Sequence, residues 1–500
     1  MADPALFDAR GDFIDGAFAL PDATGEIALE DPGDTQQALG SFPFARGSVD
    51  AAVAAARRAW PAWRDLAFAE RARLLERFGA VLASAADRLA LAIARDVGKP
   101  LWEARTEVAA MQNKISITLG EGMAPVAELE FASGPGQVAR ARAHARGVLA
   151  VLGPFNFPGH LPHGHIVPAL ATGNTVVFKP SERAPAVGQL YAELAASAGF
   201  PAGVFNLIQG DGPQGGALAA HPDVDGVLFT GSWAVGRRIL ESVLDQPQKI
   251  VALELGGKNG ALVCADADLD AAAREIAFGA VVTCGQRCSA TSRVIVDRAV
   301  ASGLIQRLER LLGALKPGYA LDDGVFFGPL ISAAARARHG ALLELARSEG
   351  AECIVAGGPC DGPRPGHYVR PSLHRLSALD RRSPYQMEEH FAPDVSVLEV
   401  ASLDEAIAAL EATPYGLVAS VWSSRRATYE RVWRELRVGL LNWNSGTVGA
   451  SSRLPFGGVK RSGNARPAGV SASLYCTYPV ASLEAEVPAP AKPFPGFPAP

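Results

Sequence analysis

Between residues 147 and 254, short apolar runs return about every 25 residues, and the stretches between them carry helical periodicity. The runs cover 147–152, 175–179, 204–208, 226–230 and 250–254, with helical segments such as 186–198 and 232–244 between them. Strands joined through a helix run parallel, so this segment predicts a parallel sheet with helices on both faces and right-handed crossovers. Ligands of such sheets bind beyond the carboxyl ends of the strands. A second α/β unit is expected over 257–445, with strands near 293–297, 352–355, 395–400, 417–422 and 439–442.

The flanking segments read differently. Residues 1–47 are rich in Gly, Pro and Asp and predict no regular element. A helix then begins, with Val49, Ala52, Val53, Ala56 and Trp60 on one face, Ser48 placed as its N-cap and Pro61 beyond its end. Further amphipathic helices follow to about Gly120. Over 127–146 the period changes to two: Val138, Arg140, Arg142, His144 and Arg146 alternate with alanines after a Ser133–Gly136 turn. This predicts a projecting hairpin. Its arginine face suits an anion site or, more simply, a solvated or subunit-facing strand. A strand is expected near 471–481, and the tail 485–500, with six prolines from Pro488 onward, is expected to be disordered.

Charge and cysteine usage exclude several classes. Lys plus Arg is 47 against 52 for Asp plus Glu, a net charge of −5, which leaves no electrostatic footprint for nucleic acid. The longest stretch without a charged residue, 147–178, holds five Gly, four Pro, three His and two Asn, unlike a membrane helix. The N-terminus MADPALFDAR lacks the basic flank and apolar run of a secretion signal. Six cysteines with no CxxC pair make no disulfide framework and fit a reducing cytoplasm. His160, His163 and His165 cluster, but no partner lies at ligand spacing, and no metal is expected.

Several short motifs carry chemistry. Phe229-Thr230-Gly231-Ser232 closes a strand and opens a helix that carries Gly236, pointing backbone N–H groups at an anion; alone it serves as well for an ordinary junction. Lys179-Pro180-Ser181-Glu182 leaves another strand end, where a cation and a carboxylate suit ribose hydroxyls or simply a surface turn. Gly210-Asp211-Gly212 is a third glycine loop. In Gly285-Gln286-Arg287-Cys288 a thiol beside an arginine is expected to have a depressed pKa, or else is a buried structural cysteine; Cys284, one turn back on the preceding helix, is read as packing. Glu254, at the end of an apolar strand before Gly256-Gly257-Lys258, suits a desolvated general base or an ion pair with Lys258. Asn156 in Pro154-Phe155-Asn156-Phe157-Pro158 offers a rigid amide to a developing oxyanion.

In order, PFNFP, KPSE, FTGS, LELGGK, GQRC, EEHF and LPFGG resemble the aldehyde dehydrogenase superfamily, from about residue 48 to 480. Within it, PFNFPGHLPHGHIVPAL, NWNSGTVGASS, RSGNARPAG and YCTYPVASLE are similar to the branch acting on N-succinylglutamate 5-semialdehyde in arginine breakdown. The resemblance implies an α/β fold with a Rossmann-type NAD-binding domain (1–126 and 147–256), an α/β catalytic domain (257–445) and a small β oligomerisation element (127–146 and 470–484). It implies Cys288 as nucleophile, Asn156 as oxyanion donor and Glu254 as base for the hydrolytic water. Lys179, Ser181 and Glu182 fall to the adenosine ribose, Gly212, Gly231, Ser232 and Gly236 to the dinucleotide loops, and Glu389 and Phe391 to the nicotinamide end. The implied cofactor is NAD, the partner a small aldehyde, and the assembly a homo-oligomer, dimer or tetramer. An acidic semialdehyde would call for cations in the substrate tunnel, with Arg287 and Arg453 as candidates or as structural ion pairs. A broad-specificity dehydrogenase and a catalytically retired dinucleotide-binding scaffold are the alternatives. Departures from the family pattern are local: Ala392 replaces Gly, Asp394 an apolar residue, Gly260 a Pro, and His163 an Asn of that branch.

Overall fold

The computed structural model describes residues 7–20, 22–134, 136–487 and 495–498. Two seven-stranded sheets dominate it. The first runs in the order Ile250–Glu254, Gly226–Thr230, Val148–Leu152, Thr175–Lys179, Phe205–Leu207, Asp12–Ile14 and Ala17–Ala19. Its first five strands are parallel, and the last two add an antiparallel edge. Chain order reverses between Val148–Leu152 and Gly226–Thr230, which opens a crevice beyond their carboxyl ends. Every residue of the four parallel strands flanking that reversal is buried, as a sheet covered on both faces requires.

The second sheet runs Glu352–Val355, Ser372–Leu376, Asp394–Val400, Thr291–Asp297, Asn259–Val263, Val418–Trp422 and Leu440–Trp443. Only its first strand is antiparallel. Separate apolar clusters line its two faces, one around Val294, Val397 and Leu304, the other around Ile295, Leu398 and Leu410. Asn259–Val263 and Ser372–Leu376 extend the five expected strands. Gly260 sits where an added Cβ would meet the Leu410 side chain at 2.5 Å, so a larger residue there would make that leucine shift.

The flanks bring corrections. Residues 25–44 are not irregular: Gly25–Asp31 pairs with Asp34–Phe44, and Ile27, Leu29, Leu39, Phe42 and Phe44 bury one face of that ribbon. The helix Ser48–Asp65 is capped by Gly47 with no side-chain bond, so Ser48 is not its cap. Pro61 lies inside it rather than beyond it, on the exposed side where the carbonyl it cannot bond meets water. Leu129–Gly134 and Gln137–Ala145 form the expected hairpin, and Arg140 and Arg142 pair with Glu128 and Glu484 rather than standing open to an anion. Residues Ala472–Cys476 are helical, and only Thr477–Ala485 is strand, adding to the hairpin in register from Thr477 opposite Ala145. The expectation of a disordered tail falls largely on residues 488–494, 499 and 500, outside those described. No helix among the described residues is long and apolar enough to cross a membrane.

Candidate active site

A cavity of about 870 Å³ lies at the strand-order reversal of the first sheet. Its walls carry Asn156, Lys179, Ser181, Glu182, Gly212, Gly231, Ser232, Glu254, Cys288, Glu389 and Phe391. Residues separated by more than 200 positions therefore meet in one cleft. Four arrive by the same geometry: Lys179 and Glu254 end parallel strands of the first sheet, and Asn156 and Ser232 follow two others, while Cys288, Glu389 and Phe391 come from loops that lead into strands of the second sheet.

The anion end is a helix N-terminus. Ser232 caps the helix Trp233–Ser242 by accepting from the Val235 N–H, leaving further N–H groups directed to the cleft. Asp211 caps the helix Gly212–Ala220 and is paired with Arg46 at 2.5 Å. Lys179 is buried, its Nζ donating to the Pro180 carbonyl 2.8 Å away and lying 3.7 Å from half-exposed Glu182. Gly236 does not line the cavity: a Cβ there would meet Leu255 at 2.9 Å, so its role is to let that helix approach the strand end.

The reactive end gathers Cys288, Asn156 and Glu254. The chain reaches Cys288 through Thr283 and Cys284, both in the left-handed region at φ 57° and 53°. The preceding helix ends at Val281, so Cys284 is not one turn back on it, although it is buried as packing requires. Gly285 meets the Ala392 backbone at 2.4 Å from its notional Cβ. It is Phe391, at φ 54°, and not Ala392 that takes the left-handed conformation, so Ala fits at 392.

The Cys288 thiol is pushed up to about 12 by burial first, then by the Glu389 and Glu254 carboxylates. The expected depression by Arg287 is overturned. That guanidinium is committed elsewhere, 2.8 Å from fully buried Glu103, bonded to Thr283 Oγ1 at 2.7 Å and lying over the Phe157 ring. Neither Arg287 nor Arg453 lines the cavity; Arg453 is exposed, 3.6 Å from Glu121.

Asn156 is buried and donates through Nδ2 to the Gln286 carbonyl at 2.8 Å, which ties it to the segment carrying Cys288. Asn259 Nδ2 donates to the Cys288 carbonyl at 2.7 Å from the opposite side. Glu254 is 5% exposed, and its Oε2 has no hydrogen-bond partner. Burial raises its pKa well above the carboxylate range, opposed only by the Ala468 N–H. The alternative pairing with Lys258 does not occur, because Lys258 Nζ faces His390 at 2.6 Å. Glu389 accepts from the Gly257 N–H at 2.9 Å and lies over Gly256, where a Cβ would meet its carboxylate at 2.1 Å.

Sequence reading missed the two arginines that line the cavity, Arg338 and Arg238. Each lies on a helix with several arginines, and nothing in the local pattern separates the one that faces the cleft from its neighbours. The histidines of 160–165 are internal: His163 bonds Tyr191 Oη and the Met111 carbonyl, and His165 bonds Tyr475 Oη and Thr230 Oγ1. Among the described residues no group of three His, Cys, Asp or Glu could hold a metal ion.

The "N-succinylglutamate 5-semialdehyde dehydrogenase" of Chromobacterium violaceum is 41% identical over 478 residues, covering 95% of this chain and 96% of that protein. A Caulobacter vibrioides protein, "N-succinylglutamate 5-semialdehyde dehydrogenase 2", is 42% identical over 481 residues, covering 95% and 97%. Among solved structures, an NAD-dependent aldehyde dehydrogenase from Sinorhizobium meliloti superposes with TM-score 0.92 at 33% identity, covering 98% of each chain. An indole-3-acetaldehyde dehydrogenase complexed with NAD+ gives 0.90 at 32% identity, covering 96% of this chain and 97% of that one. The family model described as "Aldehyde dehydrogenase family" matches residues 20–480, and the chain belongs to that family.

Proposed function

We propose that the protein oxidises an acidic semialdehyde, N-succinyl-L-glutamate 5-semialdehyde, to N-succinyl-L-glutamate with NAD+ as acceptor. The observation that carries the reading is the meeting of Cys288, Glu254 and Asn156 in the same cavity as a free helix N-terminus and the cradled Glu389 carboxylate. These residues fit a dinucleotide. The N-terminus at Ser232 would take the pyrophosphate, Lys179 and Glu182 the adenosine ribose, and Glu389 the nicotinamide ribose, with Gly212, Gly231 and Phe391 along the walls.

The Cys288 thiol gives its proton to solvent water, and the sulfur adds to the aldehyde carbon as the C=O π bond opens, leaving a thiohemiacetal oxyanion. Asn156 Nδ2 and the Cys288 backbone N–H donate to the oxyanion. NAD+, when bound, would supply the acceptor for the hydride that this adduct must lose to become a thioester. Glu254, isolated and of raised basicity, then takes a proton from the water that attacks the thioester and releases the acid. A carboxylate so placed serves hydrolysis rather than transfer to another thiol.

Substrate choice rests on the named relatives. A broader-specificity dehydrogenase is the second reading, favoured by Arg287 being bound to Glu103 and Arg453 lying outside the cavity. The two separate by kcat/KM on N-succinylglutamate semialdehyde against simple aliphatic aldehydes: the narrow reading expects at least a hundredfold preference, and equal efficiency defeats it.

We further infer a cofactor unit over 1–126 and 147–256 and a catalytic unit over 257–445. The element over 127–146 and 470–484 would join subunits into a homo-oligomer through its sheet of Leu129–Gly134, Gln137–Ala145 and Thr477–Ala485, which exposes Leu129, Phe131, Tyr478, Val480 and Leu483. A cytoplasmic location accords with six free cysteines.

A further inference from the structure

The loop 388–393 carries Glu389 and Phe391, yet no strand ladder holds it; it runs between the helix Pro384–Met387 and the strand Asp394–Val400. Phe391 at φ 54° is in a conformation that a non-glycine residue keeps only where surrounding contacts over-determine the backbone. The contacts come from a buried polar chain beside the site. Asp394 is 1% exposed and accepts four hydrogen bonds. The donors are Ser372 Oγ at 2.5 Å, His374 Nδ1 at 3.0 Å, Tyr385 Oη at 2.9 Å and His390 Nδ1 at 3.0 Å.

The His390 ring bridges two sides: Nδ1 meets Asp394, and Nε2 lies 2.6 Å from Lys258 Nζ and 2.7 Å from the Tyr385 carbonyl. The His390 ring also stacks on Tyr385 at 4.9 Å. A carboxylate, an imidazole and an amine thus form one line through the interior. Its two ends are the start of a strand of the second sheet and the Gly256-Gly257-Lys258 loop. That loop is the one on which Glu389 rests, through the Gly257 N–H. Consecutive side chains, Glu389 and His390, therefore grip consecutive residues of the same glycine loop, one from the cavity side and one from the interior.

We propose that the chain Asp394–His390–Lys258 is a positioning device that fixes Glu389 for the cofactor's ribose. This rests on the cofactor role of Glu389 given above. None of the three touches substrate; each acts through the loop. Burial draws Lys258 down to about 7 and His390 to about 4, so near neutral pH the imidazole is uncharged and Lys258 sits close to its own midpoint. The cavity side adds Arg338, whose charge acts on Glu389 in the same sense as Lys258.

The test is NAD+ binding by calorimetry to the wild-type enzyme, to Asp394→Asn and to His390→Phe, which keeps a ring on Tyr385 but deletes the contacts to Asp394, Lys258 and the Tyr385 carbonyl. Both variants are expected to weaken NAD+ at least fivefold while kcat at saturating NAD+ stays within threefold. Glu389→Gln alone should weaken NAD+ similarly, and adding Asp394→Asn to it should cost less than a further twofold, because both act through one carboxylate. Wild-type affinity in the folded variants, or a double variant whose losses multiply, overturns the proposal. If Asp394→Asn does not fold, His390→Phe decides alone. A wild-type enzyme that binds no NAD+, or a Glu389→Gln variant of unchanged affinity, overturns the cofactor reading instead.

Discussion

Glu254 and Asp394 are two buried carboxylates in opposite circumstances. Glu254 ends a strand of the first sheet with one oxygen unpartnered, and burial holds its pKa well above the usual range. Asp394 begins a strand of the second sheet with four donors around it, and it is held well below that range despite equal burial. The number of donors that reach a carboxylate, more than its depth, decides whether it is left basic enough to move a proton or is spent on holding structure. The proposed mechanism places chemistry on the under-satisfied group and rigidity on the satisfied one.

Substitutions that break this contrast should differ in kind. Cys288→Ala, on the reactive side, removes aldehyde oxidation by a factor on the order of 10⁴ or more in NADH formation, with NAD+ affinity kept. Asn156→Ala lowers kcat by roughly 10²–10³, the cost of one oxyanion donor, and leaves the KM for NAD+ unchanged. In the cofactor-free enzyme, iodoacetamide alkylation of Cys288, read by peptide mass, should rise about a hundredfold from pH 7 to 9, as a thiol titrating near 12 requires. A plateau reached below pH 8 would mean that a cation activates this sulfur after all.

Stability sharpens the same contrast with opposite signs. Asp394 has a folded pKa below its unfolded value, so its contribution is present above about pH 4 and is lost as pH falls through the folded value. Asp394→Asn should cost roughly 3 kcal/mol at pH 7 in denaturant titration. Glu254 has a folded pKa above its unfolded value. From about pH 4.5 upward the native state keeps a proton that the unfolded chain has released, so stability falls as pH rises through that window. Glu254→Gln should therefore stabilise the protein at alkaline pH, by on the order of 1 kcal/mol. Loss of stability in Glu254→Gln would show that an unseen donor satisfies that oxygen.

What was legible in the sequence was whatever repeats or ends a repeat. The apolar runs from 147 to 254 predicted the parallel sheet, and the residues just past them, Asn156, Lys179, Ser232 and Glu254, do share one cavity. The ribbon of 25–44 was hidden because Gly25, Gly33, Pro32 and Gly40 mask an alternation that only Ile27, Leu29 and Phe42 express. Ser372–Leu376 was missed because its Ser and His face a buried aspartate rather than hydrocarbon. Arg287 misled for a related reason. Its neighbour in sequence is the thiol, but its partner in space is Glu103, brought to it by the helix Leu101–Leu119. Adjacency along the chain says little about which charge a side chain meets once burial has made an unpaired ion expensive.

The most direct test is the intact mass of Glu254→Gln after incubation with the semialdehyde and NAD+. The division of labour between Cys288 and Glu254 predicts an acyl adduct near one equivalent per chain, mapped to the Cys288 peptide, with one burst of NADH and slow turnover thereafter. An unmodified chain that turns over at the wild-type rate would contradict it.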